Sequence, residues 1–232
     1  MKFGLIGDGN IARRHKEAIR HVEGELAWIY DPIKYGDSSA KLLQVPTDCI
    51  VICSPSHLHR EHIKTALDCT QSVIVEKPLC LPWEPIIDDD RINVVLQCRY
   101  LDLPESARGV TVKMVRDFSY FNTWKGNSRM TGGIFFNLFI HYIDMAIKLG
   151  ADFIGRIVSE GSQVRMVDNV NLLKQDIQMA YNRMYEAILQ GKGIKPADIM
   201  YLHYVMEKYS HEYGFGRNLM NKTVEIPRDA LR

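Results

Sequence analysis

The sequence predicts an α/β chain in two parts: a doubly wound parallel sheet first, then a smaller α+β domain with a mostly antiparallel sheet. Three observations predict it. The runs "CIVIC", "SVIVEKP" and "INVVLQCRY" are continuously apolar at their centres, as strands buried on both faces are. Helix-like segments lie between the early strands, which implies crossovers and parallel pairing. After Tyr100 that alternation stops, and "VTVKMV" and "IGRIVSEGSQVRMV" read as strands of an antiparallel or mixed sheet.

Taken in order, residues 2–6 are a short strand, 11–21 a helix, and 25–30 a second strand that ends at Asp31. Residues 49–53 form the third strand and 59–67 a helix. "SVIVEKP" and "INVVLQCRY" are the fourth and fifth strands, closing a first domain at residues 1–99. The second, residues 100–232, holds helices at about 134–148, 173–190 and 197–212 and a last strand, "KTVEI".

The totals bound the function. A net charge of +1 over 232 residues, 46% hydrophobic and 25% charged, is ordinary for a globular protein. No basic block suggests a nucleic-acid partner. The longest apolar run, 134–140, is too short to span a bilayer, and Met1 leads straight into a strand, so neither membrane nor signal peptide is expected. Five cysteines with no Cys-x-x-Cys spacing read as reduced thiols, Cys49, Cys53 and Cys98 among apolar neighbours. A cytoplasmic location follows as the expectation. His57, His59 and His62 have no acidic or cysteine partner at ligand spacing, so no metal is expected.

Three stretches carry chemistry. "GLIGDGNIARRH" follows a strand and opens a helix. Gly7 permits the tight turn, Gly9 lets backbone approach a pyrophosphate, and Ala12 allows close helix–strand packing. The helix N-terminus offers free N–H groups to phosphates. Asp31, somewhat beyond the usual offset of about 20 residues, suits a ribose diol and repels a 2′-phosphate, which favours NAD over NADP. The alternative is a structural turn with a surface acid. "VIVEKPL" places Glu76, Lys77 and Pro78 at the carboxyl end of a buried strand, where α/β sheets bind ligands. Lys77 reads either as a tunable cation able to stabilise an alkoxide or as a solvated charge. In "GGIFFNLFIHYIDMAIKLG" the helix is apolar nearly all round, and Asn137, His141, Asp144 and Lys148 fall on one face. His141 reads as a general base or as a hydrogen-bonded core histidine.

Together these stretches resemble the glucose–fructose oxidoreductase / inositol dehydrogenase / rhizopine-catabolism (Gfo/Idh/MocA) family. "GLIGDGNIARRH" is similar to its nucleotide turn, "VICSPSHLHREHIKTAL" to its segment around the nicotinamide, "VEKPL" to its lysine motif and "GGIFFNLFIHYIDM" to its catalytic helix. "FNTWKGNSRMTGG" and Asn137 further resemble the UDP-N-acetylglucosamine and UDP-N-acetylglucosaminuronate 3-dehydrogenases of that family.

The resemblance implies an NAD-dependent oxidoreductase with a Rossmann domain, oxidising a secondary hydroxyl (the 3-hydroxyl) of a sugar or nucleotide-sugar. Gly7, Gly9, Asn10, Ile11, Ala12 and Asp31 would hold NAD, with Ser54, Pro55, His59, Glu76 and Lys77 towards its nicotinamide. His141 would take the hydroxyl proton, Lys77 polarise the oxygen, and Asn137 and Asp144 position them. Arg99, Trp124, Lys125 and Arg129 would contact substrate, Arg129 as a fork for a carboxylate or phosphate. A cis Lys77–Pro78 bond and homo-oligomerisation through the C-terminal sheet are also implied. The chain is short for this family: residues 31–49 leave little room for a second crossover helix, and the loop from Lys77 to Asn93 is abbreviated. Two other readings stand beside it: a non-catalytic NAD(H)-binding protein of the same fold, and a dehydrogenase of a free polyol.

Overall fold

The structure, a computed structural model, describes residues 1–36, 45–158, 164–213 and 222–231. Its elements run β1 (Lys2–Ile6), α1 (Ala12–His21), β2 (Glu25–Tyr30), α2 (Pro32–Tyr35), β3 (Cys49–Ile52), α3 (His59–Cys69), β4 (Val73–Val75) and β5 (Ile92–Val94). They continue with β6 (Gly109–Val115), α4 (Phe118–Phe121), α5 (Ser128–Thr131), α6 (Ile134–Leu149), β7 (Asp152–Val158), β8 (Val164–Val167), β9 (Val170–Asn171), α7 (Ile177–Leu189), α8 (Met200–Tyr213) and β10 (Thr223–Ile226). Of the crossover between β2 and β3, the described part holds only α2. Residues 37–44, on which part of the short-crossover expectation falls, lie outside the described residues.

The chain divides into two units. The first comprises residues 1–80, 85–100 and 177–199. Its five strands lie in the order β2-β1-β3-β4-β5, all parallel. Every residue of β3 and β4 is buried, as expected of strands covered on both faces. On one face Phe3, Leu5, Cys49, Val51 and Ile74 pack with Ala12, Ala18 and Ile19 of α1 and with Tyr181, Met184 and Tyr185 of α7. α3 packs against β3 and β4. Burial pushes the Cys49 thiol up to about 12, so it stays protonated and inert.

The position of α7 corrects the expected domain boundary. Residues 177–199 belong to the first unit although they follow the second-domain strands, and residues 81–84 belong to the second. Ala180, Tyr181, Met184 and Tyr185 follow one another at helical spacing and are each 1% exposed. That stripe completes the cover over the sheet beside α1.

The second unit carries a five-stranded sheet in the order β10-β7-β6-β8-β9. β6 and β7 pair in parallel, with α6 as their connection, and the other three pairs are antiparallel. α6 packs against β6, β7 and α8, and is buried almost all round, as its composition predicts. The stretch Ser128–Leu149 is longer than the apolar run marked in the sequence. It is long and apolar enough to cross a membrane, but most of it is buried inside the chain.

Candidate active site

In the first unit the strand register sets the site. Ile6 pairs with Tyr30 and Ile52, Ile52 with Val75, and Val75 with Val94. The residues that follow (Gly7, Asp31, Cys53 and Glu76) therefore leave the sheet along one carboxyl edge, where doubly wound sheets bind ligands. Gly7 turns there at φ +88°, and a Cβ on it would stand 2.8 Å from the Ser54 nitrogen. Gly9 and Asn10 are exposed, and a Cβ on Gly9 would meet nothing within 4 Å. Ile11 starts α1 without a side-chain cap, and no acid lies in its first turn. The turn is thus an open cradle beside an uncompensated helix N-terminus, which fits a pyrophosphate.

Asp31 does more than end β2. Its Oδ1 accepts the N–H groups of Ile33 and Lys34, capping α2, and its Oδ2 accepts the Asp8 N–H at 2.8 Å. The carboxylate is thereby fixed beside the glycine turn.

Beyond β3 and β4 the polar side chains tie loops together. Ser54 Oγ bonds His62 Nδ1 at 2.8 Å, and Pro55 opens the turn Ser56–Leu58. His59 is 1% exposed, with Nδ1 2.7 Å from the Pro78 carbonyl and Nε2 2.8 Å from the Ser54 carbonyl. Both ring nitrogens are thus committed to backbone. His59 bolts the two loops together through these backbone carbonyls. Burial holds it below the ordinary histidine value, despite the two carbonyls that favour its charge. The Lys77–Pro78 bond is cis.

Glu76 is buried at the centre of a network that the sequence reading missed. Its Oε1 lies 2.9 Å from His15 Nε2 and accepts the Tyr181 hydroxyl at 2.8 Å. His15 Nδ1 lies 2.8 Å from the Tyr185 hydroxyl. Facing a carboxylate, His15 Nε2 carries a proton and donates it to Glu76. Burial alone would raise the Glu76 carboxyl, but His15 and then Lys77 and Tyr181 outweigh it and hold it below its usual value. The signal in the sequence was one of spacing: His15 lies three residues after Ala12 on the inward face of α1, and Tyr181 and Tyr185 lie four apart. Arg99 lies in the turn Gln97–Tyr100 just past β5, half-buried.

In the second unit, the polar stripe of α6 is buried at Asn137 (7% exposed), His141 (8%) and Asp144 (1%), whereas Lys148 turns out to solvent. Asn137 Nδ2 donates to the Tyr120 hydroxyl at 3.3 Å. The Tyr120 ring lies under two cations, with Arg116 Cζ at 5.3 Å and Lys125 Nζ at 5.0 Å from its centroid. These three side chains line a cleft of about 450 Å³. Burial, then the nearby Arg116 charge, pulls the Lys125 ammonium below its ordinary value. Of the predicted substrate residues Lys125 lines this cleft, while Trp124 and the exposed Arg129 do not. Arg116 and Tyr120 were missed, although they lie four apart just before "NTWKG".

Residues 1–88 match the family model GFO_IDH_MocA, "Oxidoreductase family, NAD-binding Rossmann fold". Over those residues the chain is similar to the Gfo/Idh/MocA oxidoreductases. Glucose-6-phosphate 3-dehydrogenase of Bacillus subtilis (strain 168) is 25% identical over 270 residues, covering 97% of this chain and 77% of that protein. That alignment is longer than the 232 residues here, so it opens gaps in this chain. The WlbA (WbpB) dehydrogenase of Thermus thermophilus, solved with NAD and UDP-GlcNAcA, is 20% identical with a TM-score of 0.70, over 90% of this chain and 94% of that one. A scyllo-inositol dehydrogenase of Lactobacillus casei, solved with NAD(H) and scyllo-inositol, is 13% identical with a TM-score of 0.62, over 97% and 98%. The two structures share the fold. NAD is the cofactor of this unit, and the turn at Gly9 leaves open space beside a helix N-terminus.

Proposed function

We propose that the chain oxidises a secondary hydroxyl, the 3-hydroxyl, of an anionic sugar: a sugar phosphate or a nucleotide-sugar such as UDP-N-acetylglucosaminuronate. One observation carries this reading. Arg116 and Lys125 converge on Tyr120 in an open cleft, and Tyr120 is bonded to Asn137, four residues before His141 on α6. Two cations this close repel each other, and a phosphoryl or carboxylate group between them would relieve the repulsion. The names of the relatives support the choice: one acts on glucose 6-phosphate at position 3, and another was solved with UDP-GlcNAcA.

Bound NAD would supply the hydride acceptor. His141 is the base that takes the hydroxyl proton. Lys77 stabilises the alkoxide as it develops. Asn137 links His141's helix to the anion cleft through Tyr120, so the charged end of the sugar sets the register of its hydroxyl. Asp144, at i+3 from His141, positions that ring.

The test is reduced-cofactor absorbance with NAD and a panel of UDP-N-acetylglucosaminuronate, UDP-N-acetylglucosamine, glucose 6-phosphate, glucose and myo-inositol. Turnover is expected with one or more anionic sugars. His141→Ala or Lys77→Ala should lower kcat by about 10²–10⁴-fold. Arg116→Ala should raise KM about tenfold or more with a smaller effect on kcat. Turnover confined to the neutral polyols would sink the anionic-sugar assignment. Undiminished turnover in Lys77→Ala would sink the proposed role of Lys77. Tight NADH binding without turnover on any sugar would favour the non-catalytic reading.

A further inference from the structure

The glycine turn contains a carboxylate that the reading above does not use. Asp8 lies between Gly7 and Gly9 and is 7% exposed. A buried negative charge in a turn that receives phosphates is costly unless it is matched. Here it is matched from three sides. Oδ1 lies 2.5 Å from Lys16 Nζ of α1. Oδ2 accepts the Tyr35 hydroxyl at 2.7 Å and lies 3.3 Å from Lys34 Nζ. Lys34 Nζ also donates to the Asp8 carbonyl. Burial would raise the Asp8 carboxyl, but its bonds to Lys16, Tyr35 and Lys34 hold it below the ordinary value.

Lys34 is the unusual member. It lies three residues after Asp31, and its N–H is bonded to the Asp31 carboxylate. In Rossmann units the acid at this strand end accepts from the adenosine ribose hydroxyls, and a cation close to it accommodates the 2′-phosphate of NADP. This chain therefore has both groups: the acid that suits NAD and a neighbouring cation that would suit NADP. Asp8 draws the cation away, onto the turn.

We propose that Asp8 is a cofactor-specificity residue: it sequesters the Lys34 ammonium, so that this cation beside Asp31 is not offered to a 2′-phosphate. Asp31 repels that phosphate directly, and Asp8 withdraws a neighbour that would compensate. The inference depends on the NAD-binding turn and is independent of the sugar.

The experiment is a titration of NADH and NADPH, followed by nicotinamide fluorescence, on the wild type, D8N, K34M and D8N/K34M. D8N keeps the side chain's shape but cannot hold two lysines by charge. It should shift the NADPH-to-NADH affinity ratio about tenfold towards NADPH. K34M alone should leave the ratio unchanged, because Lys34 is already withdrawn. In the double variant the ratio should return to the wild-type value. An unchanged ratio in D8N overturns the proposal, as does a K34M ratio that falls several-fold in the wild-type background. Lys34 is half-exposed and K34M does not depend on refolding the turn, so a several-fold fall in its ratio overturns the proposal even if D8N fails to fold. A wild type that binds neither nucleotide overturns it too. Using both nucleotides cancels any general gain from removing a negative charge near the phosphates.

Discussion

Gly7 and Gly9 stand two residues apart in one turn, yet they answer to different constraints. Gly7 has a positive φ and its missing Cβ would strike the Ser54 backbone, so Gly7→Ala should cost about 1–3 kcal/mol of stability. Gly9 faces open space, so Gly9→Ala should cost no more than about 0.5 kcal/mol yet weaken NADH binding. Thermal melts and NADH titrations of the two variants separate the roles. A Gly9→Ala protein that binds NADH as well as the wild type would remove Gly9 from the cradle. At this scale the sequence was legible where a residue's role is a matter of backbone: the turn, the strand ends and the inward stripe of α6. It was less legible where a side chain's partner lies far along the chain. Asp31 could be read as an acid beside a ribose. That it also caps α2 and bonds the Asp8 N–H depends on how the turn closes. His59 could be read as lying near the cofactor, but its two carbonyl partners, five and nineteen residues away, could not.

Among the elements, α7 departs furthest from the expectation. Its helical pattern was plain in the sequence, and the boundaries 177–189 fall inside the predicted 173–190. What was hidden was its unit, because nothing local distinguishes a stripe that covers one sheet from a stripe that covers another. The deciding feature is polar: Tyr181 and Tyr185 carry hydroxyls that reach Glu76 and His15. Tyr181→Phe should therefore cost about 1–2 kcal/mol, since the buried Glu76 oxygen loses one of its two donors. Glu76→Ala should cost about 3–5 kcal/mol, because it strands His15 and Tyr181 together. Urea midpoints of the two variants check the order. A Tyr181→Phe protein as stable as the wild type would show that the network contributes nothing.

For the whole molecule, the buried His59 and the half-buried His62 and His203 shape the response to acid. His59 and His62 in the first unit and His203 in the second are each held by burial below the ordinary 6.5. The unfolded chain takes up their protons near that value, while the folded chain resists. Stability from these groups is therefore complete above about pH 6.5 and is lost as pH falls through it towards their folded values. The urea midpoint should drop between about pH 7.5 and about pH 5.5, and His62→Gln should lessen the drop. Asp8 and Glu76 shift the same way, but relative to ordinary values of 3.8 and 4.5, below this window. A midpoint flat across the range would contradict the burial of these rings.

The discontinuity of the first unit has a consequence for how the chain is made. Synthesis delivers residues 1–100 first, with the sheet face that carries Phe3, Leu5 and Val51 lacking half its cover. The missing half is α7, and it follows the β6–β9 stretch of the other unit in the chain. At about 5–20 residues per second the ribosome leaves that apolar face waiting for several seconds. During that interval the nascent sheet is a target for chaperones and for pairing with other unfinished chains. A ribosome-bound chain stalled before residue 177 should be recognised as unfolded by protease, and one stalled well past residue 199 should not.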